Sequence, residues 1–158
     1  MTQQQIQKFN QQLINDGEVI TIVDYVKKLN TKFFQIDISF IDDLMEFVGK
    51  DEFCIHHEML IKYGTLAEGT DAYNIQRLLN QYKFKINVDY KKYQGLSLIN
   101  EGDKTTRGEK ITFWLIPDAF KLILMWGQNI RDYAYYYILL EKCVRYYNQY
   151  ERLKLEQK

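Results

Sequence analysis

One segment restricts the fold of this chain more than any other: RDYAYYYILLEKCVRYYNQY, residues 131–150, with seven tyrosines in twenty positions. Laid on a helix, it carries two apolar stripes. Ile130, Tyr133, Ala134, Tyr137, Leu140 and Val144 follow one, and Tyr136, Leu139, Cys143, Tyr146, Tyr147 and Tyr150 follow the other. One stripe is enough to dock a helix on a domain core. The second needs a neighbour, either the amino-terminal helices of the same chain or the same helix of a second copy. Tyrosine suits such a surface, because it buries a large ring and leaves a hydroxyl to pair or to meet water. Single-stranded nucleic acid stacking on these rings, beside Arg131, Lys142 and Arg145, is the functional rival. The interleaved Leu, Ile and Val favour packing. The tyrosines are therefore expected to be structural, with Tyr136, Tyr146, Tyr147 and Tyr150 at an oligomer or partner interface.

The rest of the chain supplies what this helix packs against. With one proline and eight glycines in 158 residues, 46% of them hydrophobic, regular and helix-rich structure around a real core is expected. The glutamine-rich start, MTQQQIQKFNQQ, looks frayed or loosely helical. In GEVITIVDYVKKLN, Val19, Ile22, Val23, Val26 and Leu29 recur at helical spacing after a possible cap at Asp16, although the β-branched residues keep a strand open. SFIDDLMEFVGK reads as a helix capped by Ser39 and ended by Gly49. A short helix over 56–63, closed by Gly64, precedes a second at 71–82 with Asp71 as its cap. VDYKKYQGLSLI and KITFWLI, flanking the polar NEGDKTTRGE, predict a β-hairpin with a mobile tip. Pro117 starts the next helix, and the last runs from about Asn129 to the mid-150s. The expected fold is α+β, mainly α: a helix-turn-helix-like pair, a small hairpin and a long closing helix. The expected division is an extension at 1–35, a domain at 36–150 and a tail at 151–158.

Several chemistries have no support in the residues. Cys54 and Cys143 make neither a disulfide framework nor a zinc cluster. His56 and His57 are adjacent, so on a helix they point about 100° apart and cannot share an ion; His56 is better read as a helix cap or surface residue. Neither cysteine has an evident histidine partner, and no nucleophile elbow or phosphate loop appears. The acids Asp42, Asp43, Glu46, Glu101 and Asp103 sit where solvated charge is expected. No enzyme, metal or cofactor is expected. The chain lacks a membrane-length apolar run, and its start lacks the apolar core of a signal peptide, which implies an intracellular, non-secreted protein without a membrane partner.

Nucleic-acid binding has more support. The net charge of zero hides an asymmetry. Residues 1–60 carry five Lys/Arg against ten Asp/Glu, whereas residues 72–110 carry eight against four, enough for a phosphate-facing patch. In the helix at 71–82, Ile75, Leu78, Leu79 and Tyr82 form an apolar stripe. Gln76, Arg77, Asn80 and Gln81 lie opposite, the residue types that read guanine and adenine edges. Lys83, Lys85, Lys104, Arg107 and Lys110 are the candidate phosphate ligands.

The order HEMLIKYG, NIQRLLNQYKFKINVDYKKY, FWLIPDAFKLILMW, YYILLEKC resembles the phage antirepressor domains. It is still more similar to the MSV domain family of large insect DNA viruses, allied to the Bro-N and KilA-N domains. The matching elements are Tyr82-Lys83-Phe84, Asp89-Tyr90, Pro117-Asp118-Ala119, and Tyr136-Tyr137 followed by Glu141-Lys142, and the likeness spans roughly residues 36–150. The resemblance implies a regulatory viral protein in the host cytoplasm or nucleus that recognises double-stranded DNA through a helix-turn-helix-like unit; a homodimer is expected beside it, since two half-sites would offset the thin basic surface. The phage pattern has several bases in its second helix where this chain keeps Arg77, which implies fewer phosphate contacts and a smaller counterion-release contribution. The rival class is a protein-interaction module, antirepressor-like or scaffolding, which engages a protein partner through exposed aromatics.

Overall fold

The computed structural model describes residues 1–63, 66–105, 110–127 and 132–157. Among these, the chain forms seven α-helices and one four-stranded antiparallel sheet, an α+β fold that is mainly α. It divides into two compact units: Met1–Val48 with Tyr135–Lys158, and Gly49–Ala134. No helix among the described residues is long and apolar enough to cross a membrane.

The first unit begins with α1 (Gln3–Asn15), which is not frayed. Thr2 and Gln5 form a reciprocal capping box, each side chain bonding the other's backbone N–H. Ile6, Phe9, Asn10 and Leu13, spaced at three and four residues, are buried. Asp16, expected to start the next helix, instead ends this one, and Gly17 follows at φ +71°. Thr21 caps α2 (Ile22–Phe33), its side chain accepting from Asp24 N–H. Tyr25, Val26 and Leu29 are completely buried, which settles the helix-or-strand ambiguity of this stretch. Then α3 (Ile38–Leu44) follows Asp37 rather than Ser39, and a 3₁₀ turn carries the chain to Gly49 at φ +80°.

The long helix α7 (Tyr133–Glu156) contributes its residues from Tyr135 onward to this unit. Its expected beginning at 129–131, with Ile130 and Arg131, lies outside the described residues. The second tyrosine stripe meets helices of its own chain. Tyr150 is 0% exposed, its ring stacked 5.6 Å from that of Tyr25, and Tyr147 meets Tyr25 edge-on at 5.3 Å. Their hydroxyls donate to the carbonyls of Glu18 and Ile20. Tyr136 is edge-on to Phe40 at 6.0 Å, and Tyr146 is half-buried. Of the two neighbours open to this stripe, the amino-terminal helices of the same chain meet Tyr147 and Tyr150, because α2 offers Tyr25 between them.

In the second unit, 56–63 is not one helix. Ile55–His56 is a strand, β1, and only Glu58–Lys62 forms α4. The helix α5 (Ala72–Gln81) starts as expected, with the Asp71 carboxylate accepting from Asn74 N–H. Three more strands follow: β2 (Tyr90–Gln94), β3 (Ser97–Ile99) and β4 (Ile111–Leu115), in sheet order β1-β4-β2-β3. The hairpin therefore differs from the expected one. The tight turn lies at Gly95-Leu96, with Gly95 at φ +62°, the positive value a two-residue turn requires at its first position. β3 and β4, on either side of the polar loop, are not neighbours in the sheet, because β2 lies between them, and residues 106–109 of the expected tip lie outside the described residues. Pro117 opens α6 (Pro117–Trp126) at its first turn and Gly127 closes it.

Register assigns the two faces of the sheet. Tyr90 opposes Leu115, and Lys92 opposes both Phe113 and Ile99. These positions share one face with Ile55, and most are buried. The alternate positions share the other face, on which none of the strand side chains is fully buried. That difference becomes important below.

Candidate nucleic-acid interface

The four expected base-reading residues of α5 separate into two rows, as residues four apart must. Gln76 and Asn80 face the sheet. The Gln76 amide nitrogen donates to Asn80 Oδ1 at 3.0 Å and to the Tyr90 hydroxyl at 2.8 Å. Gln76 is therefore an internal tie between α5 and β2, and its amide hydrogens are already committed. Arg77 and Gln81 are exposed and border a separate shallow groove of about 360 Å³, toward the turn at Leu66–Asp71. The row available to a duplex is therefore Arg77 and Gln81, with exposed Asn80 at its edge.

The end of α5 carries an unusual residue. Lys83 N–H donates to Asn80 O and Phe84 N–H to Leu79 O, the paired bonds of a Schellman motif. The position between helix and loop must then be left-handed, and Lys83 sits there at φ +61°. Glycine takes this conformation without cost, whereas a residue with Cβ is strained by about 1 kcal/mol or more. The strained position places an exposed lysine side chain at the end of the helix that carries Arg77. Tyr82 and Phe84 lie on either side of it, with Tyr82 stacked on Trp126 at 5.5 Å. Replacing Lys83 with glycine is expected to stabilise the protein by up to about 1 kcal/mol, measured by urea unfolding, while weakening any nucleic-acid complex.

The other expected phosphate ligands do not form one patch with α5. Lys85 borders a cleft of about 560 Å³ between α5 and the β3 edge, together with Lys92, Glu101 and Asp103. Two cations and two acids give that cleft no net formal charge. Burial lowers the pKa of Lys92, whose Nζ lies 5.6 Å from the Phe113 ring centre. Lys104 is exposed beyond the Asn100–Asp103 turn, and Arg107 lies outside the described residues. Lys110, exposed, continues the β4 alternation of Thr112 and Trp114, on the sheet face away from Gln76.

The histidines have structural roles. His56 Nδ1 accepts from Glu58 N–H and caps the short α4. His57 is nearly buried, and its Nδ1 accepts from Phe113 N–H at 3.1 Å while its own N–H donates to Phe113 O. This two-way bond, which adjacency in the sequence does not reveal, extends the β1–β4 pairing by one step. Among the described residues, no group of three or more His, Cys, Asp or Glu is placed to hold a metal ion. Burial raises the Cys54 thiol, with help from Glu52, and pushes Cys143 up to about 12, so neither presents a thiolate near neutrality.

Compared with family models, curated proteins and solved structures, the chain matches none.

Proposed function

We propose that the protein is a DNA-binding regulator of the viral type its motif order resembles. In this reading α5 enters the major groove of double-stranded DNA, with Arg77 and Gln81 directed to base edges and Lys83 on a phosphate. The observation that carries it is Lys83, a cation kept in a strained left-handed position where glycine would fit freely, just past the end of the helix that carries exposed Arg77. A residue that costs stability and whose side chain makes no hydrogen bond or ion pair among the described residues needs a use outside the fold. Gln76 supports the same arrangement indirectly, because its bonds to Asn80 and Tyr90 fix the rotation of α5 on the sheet.

Fluorescence anisotropy with mixed-sequence duplex DNA, between about 50 and 200 mM salt, tests this reading. Arg77→Ala is expected to weaken binding by roughly tenfold or more, and Lys83→Gly to lower the salt slope by about one. Absence of duplex binding at the lowest salt overturns the proposal and makes the protein-interaction module the better reading.

A further inference from the structure

The sheet of the second unit has one face toward α5 and one face that, among the described residues, leaves every strand side chain half-buried or exposed. Tyr90, whose hydroxyl bonds Gln76, marks the covered side. On the other side, register brings His56 opposite Trp114, Trp114 opposite Lys91, and Tyr93 opposite both Thr112 and Leu98. Antiparallel partners directly across from one another share a face, so these side chains form one surface. Each is half-buried or exposed. Phe53 and Leu96 extend it at two edges, and Phe53, Tyr93 and Trp114 line a groove of about 490 Å³. Leu96, at the hairpin turn, is fully exposed.

This surface differs in kind from the tyrosine helix. There, hydroxyls and ring faces are consumed by neighbours. Here, Trp114 is edge-on to His56 at 4.8 Å, while Tyr93 lies diagonally across the strands from it. Charge is also placed selectively. Lys91 Nζ stands 4.8 Å from the centre of the Phe53 ring, and Lys110 lies on the same side, its charge acting on His56. Among the described strand positions of this face there is no carboxylate; Glu58 acts on His56 only from the adjoining helix. A solvent-accessible aromatic row flanked by cations is complementary to a ligand with flat apolar faces joined by anions.

We infer that the open face of this sheet binds single-stranded DNA, with unpaired bases stacked on Trp114, Tyr93 and Phe53 and phosphates held by Lys91 and Lys110. Two features select this occupant. A duplex hides its base faces, so rings on a sheet gain nothing from it, whereas each unpaired base offers a π-face. A preference for RNA over DNA would rest on polar partners for the ribose 2′-hydroxyl, and the centre of this face is ringed and aliphatic, with Thr112 its one small hydroxyl. The inference is independent of the duplex reading, because none of its residues belongs to α5.

The test is anisotropy with a labelled single-stranded mixed-sequence oligodeoxynucleotide, run beside the matching oligoribonucleotide and duplex. Trp114→Thr, which keeps a β-branched residue in the strand, is expected to lower single-strand affinity roughly tenfold or more, while Trp114→Phe restores most of it. Lys91→Gln and Lys110→Gln are each expected to reduce the salt slope by about 0.7, a change that a merely structural role would not produce. Arg77→Ala should leave single-strand binding intact, so loss of the duplex complex alone bears on α5 and not on this face. Failure to bind the single strand, binding confined to the oligoribonucleotide, or unchanged affinity in a folded Trp114→Thr variant would each overturn the inference.

Discussion

Tyr150→Ala is expected to cost about 3–5 kcal/mol of stability, the range for truncating a large buried ring, read as a shift in the urea midpoint. The magnitude follows from position rather than residue type. Tyr150 is completely buried against Tyr25, itself completely buried, and the pair sits where α7 meets α2. The neighbouring aromatics cannot collapse to fill the space without leaving their own contacts, since Tyr25 is also edge-on to Phe9 and Tyr147. Conservative variants separate ring from hydroxyl. Tyr150→Phe removes one bond to the Glu18 carbonyl, and Glu18 is exposed, so water replaces the donor and the cost is about 1 kcal/mol or less. Tyr25→Phe removes the donor to Asn10 Oδ1, and Asn10 is only 2% exposed. An unsatisfied buried amide oxygen costs about 1–3 kcal/mol. The expected order is therefore Tyr150→Ala, then Tyr25→Phe, then Tyr150→Phe. If the two phenylalanine variants were reversed, the Tyr25–Asn10 bond would not be the buried one.

Local grammar carried much of this fold. Asp71 with its apolar stripe, and Pro117 through Gly127, mark α5 and α6 because caps and breakers act within one turn. Two misses had readable signals. Thr2 and Gln5 have capping-box spacing, with apolar residues at 6, 9 and 13, yet the surrounding glutamines suggest fraying. The two-residue Gly95-Leu96 turn between YKKYQ and SLI is also a hairpin signal, masked by the more conspicuous polar loop after it. The remaining misses are nonlocal. Strand β1 is two residues long and exists only because β4 pairs with it from nearly sixty residues away.

The candidate sites divide in the same way. Four polar residues opposite an apolar stripe mark the outer side of α5. Sequence spacing does not reveal that Gln76 turns toward Tyr90, because Tyr90 arrives from another element. The tyrosine stripe called for a neighbour in or beyond the chain, and Tyr25 supplies it from over a hundred residues upstream. The open sheet face required register. Without knowing that β2 pairs with both β3 and β4, Lys91, Tyr93 and Trp114 are three unrelated positions.

His57 predicts a strong pH dependence of stability. Its pKa is lowered from 6.5 to about 4, first by burial and then by the neighbouring His56 and by Lys110, against opposing pulls from Glu58 and from the Phe113 backbone, whose carbonyl favours the charged ring. The donor geometry at Nδ1 sides with burial, because Nδ1 accepts from Phe113 N–H only while that nitrogen carries no proton. Between pH 6.5 and 4 the unfolded chain binds this proton and the folded chain does not, so stability rises with pH across that window. The contribution is complete above about pH 6.5 and is lost progressively as pH falls to about 4. At pH 5, unfolding is expected to take up close to one proton at this site. His57→Gln, neutral throughout, should flatten that part of the curve, whereas the half-buried His56, as His56→Gln, should change it less. Imidazole resonances followed by NMR supply the direct check: His57 should remain neutral down to about pH 5. A His57 that titrates near 6.5 in the folded protein would mean that the Phe113 bond does not hold the ring, and with it the join between β1 and β4.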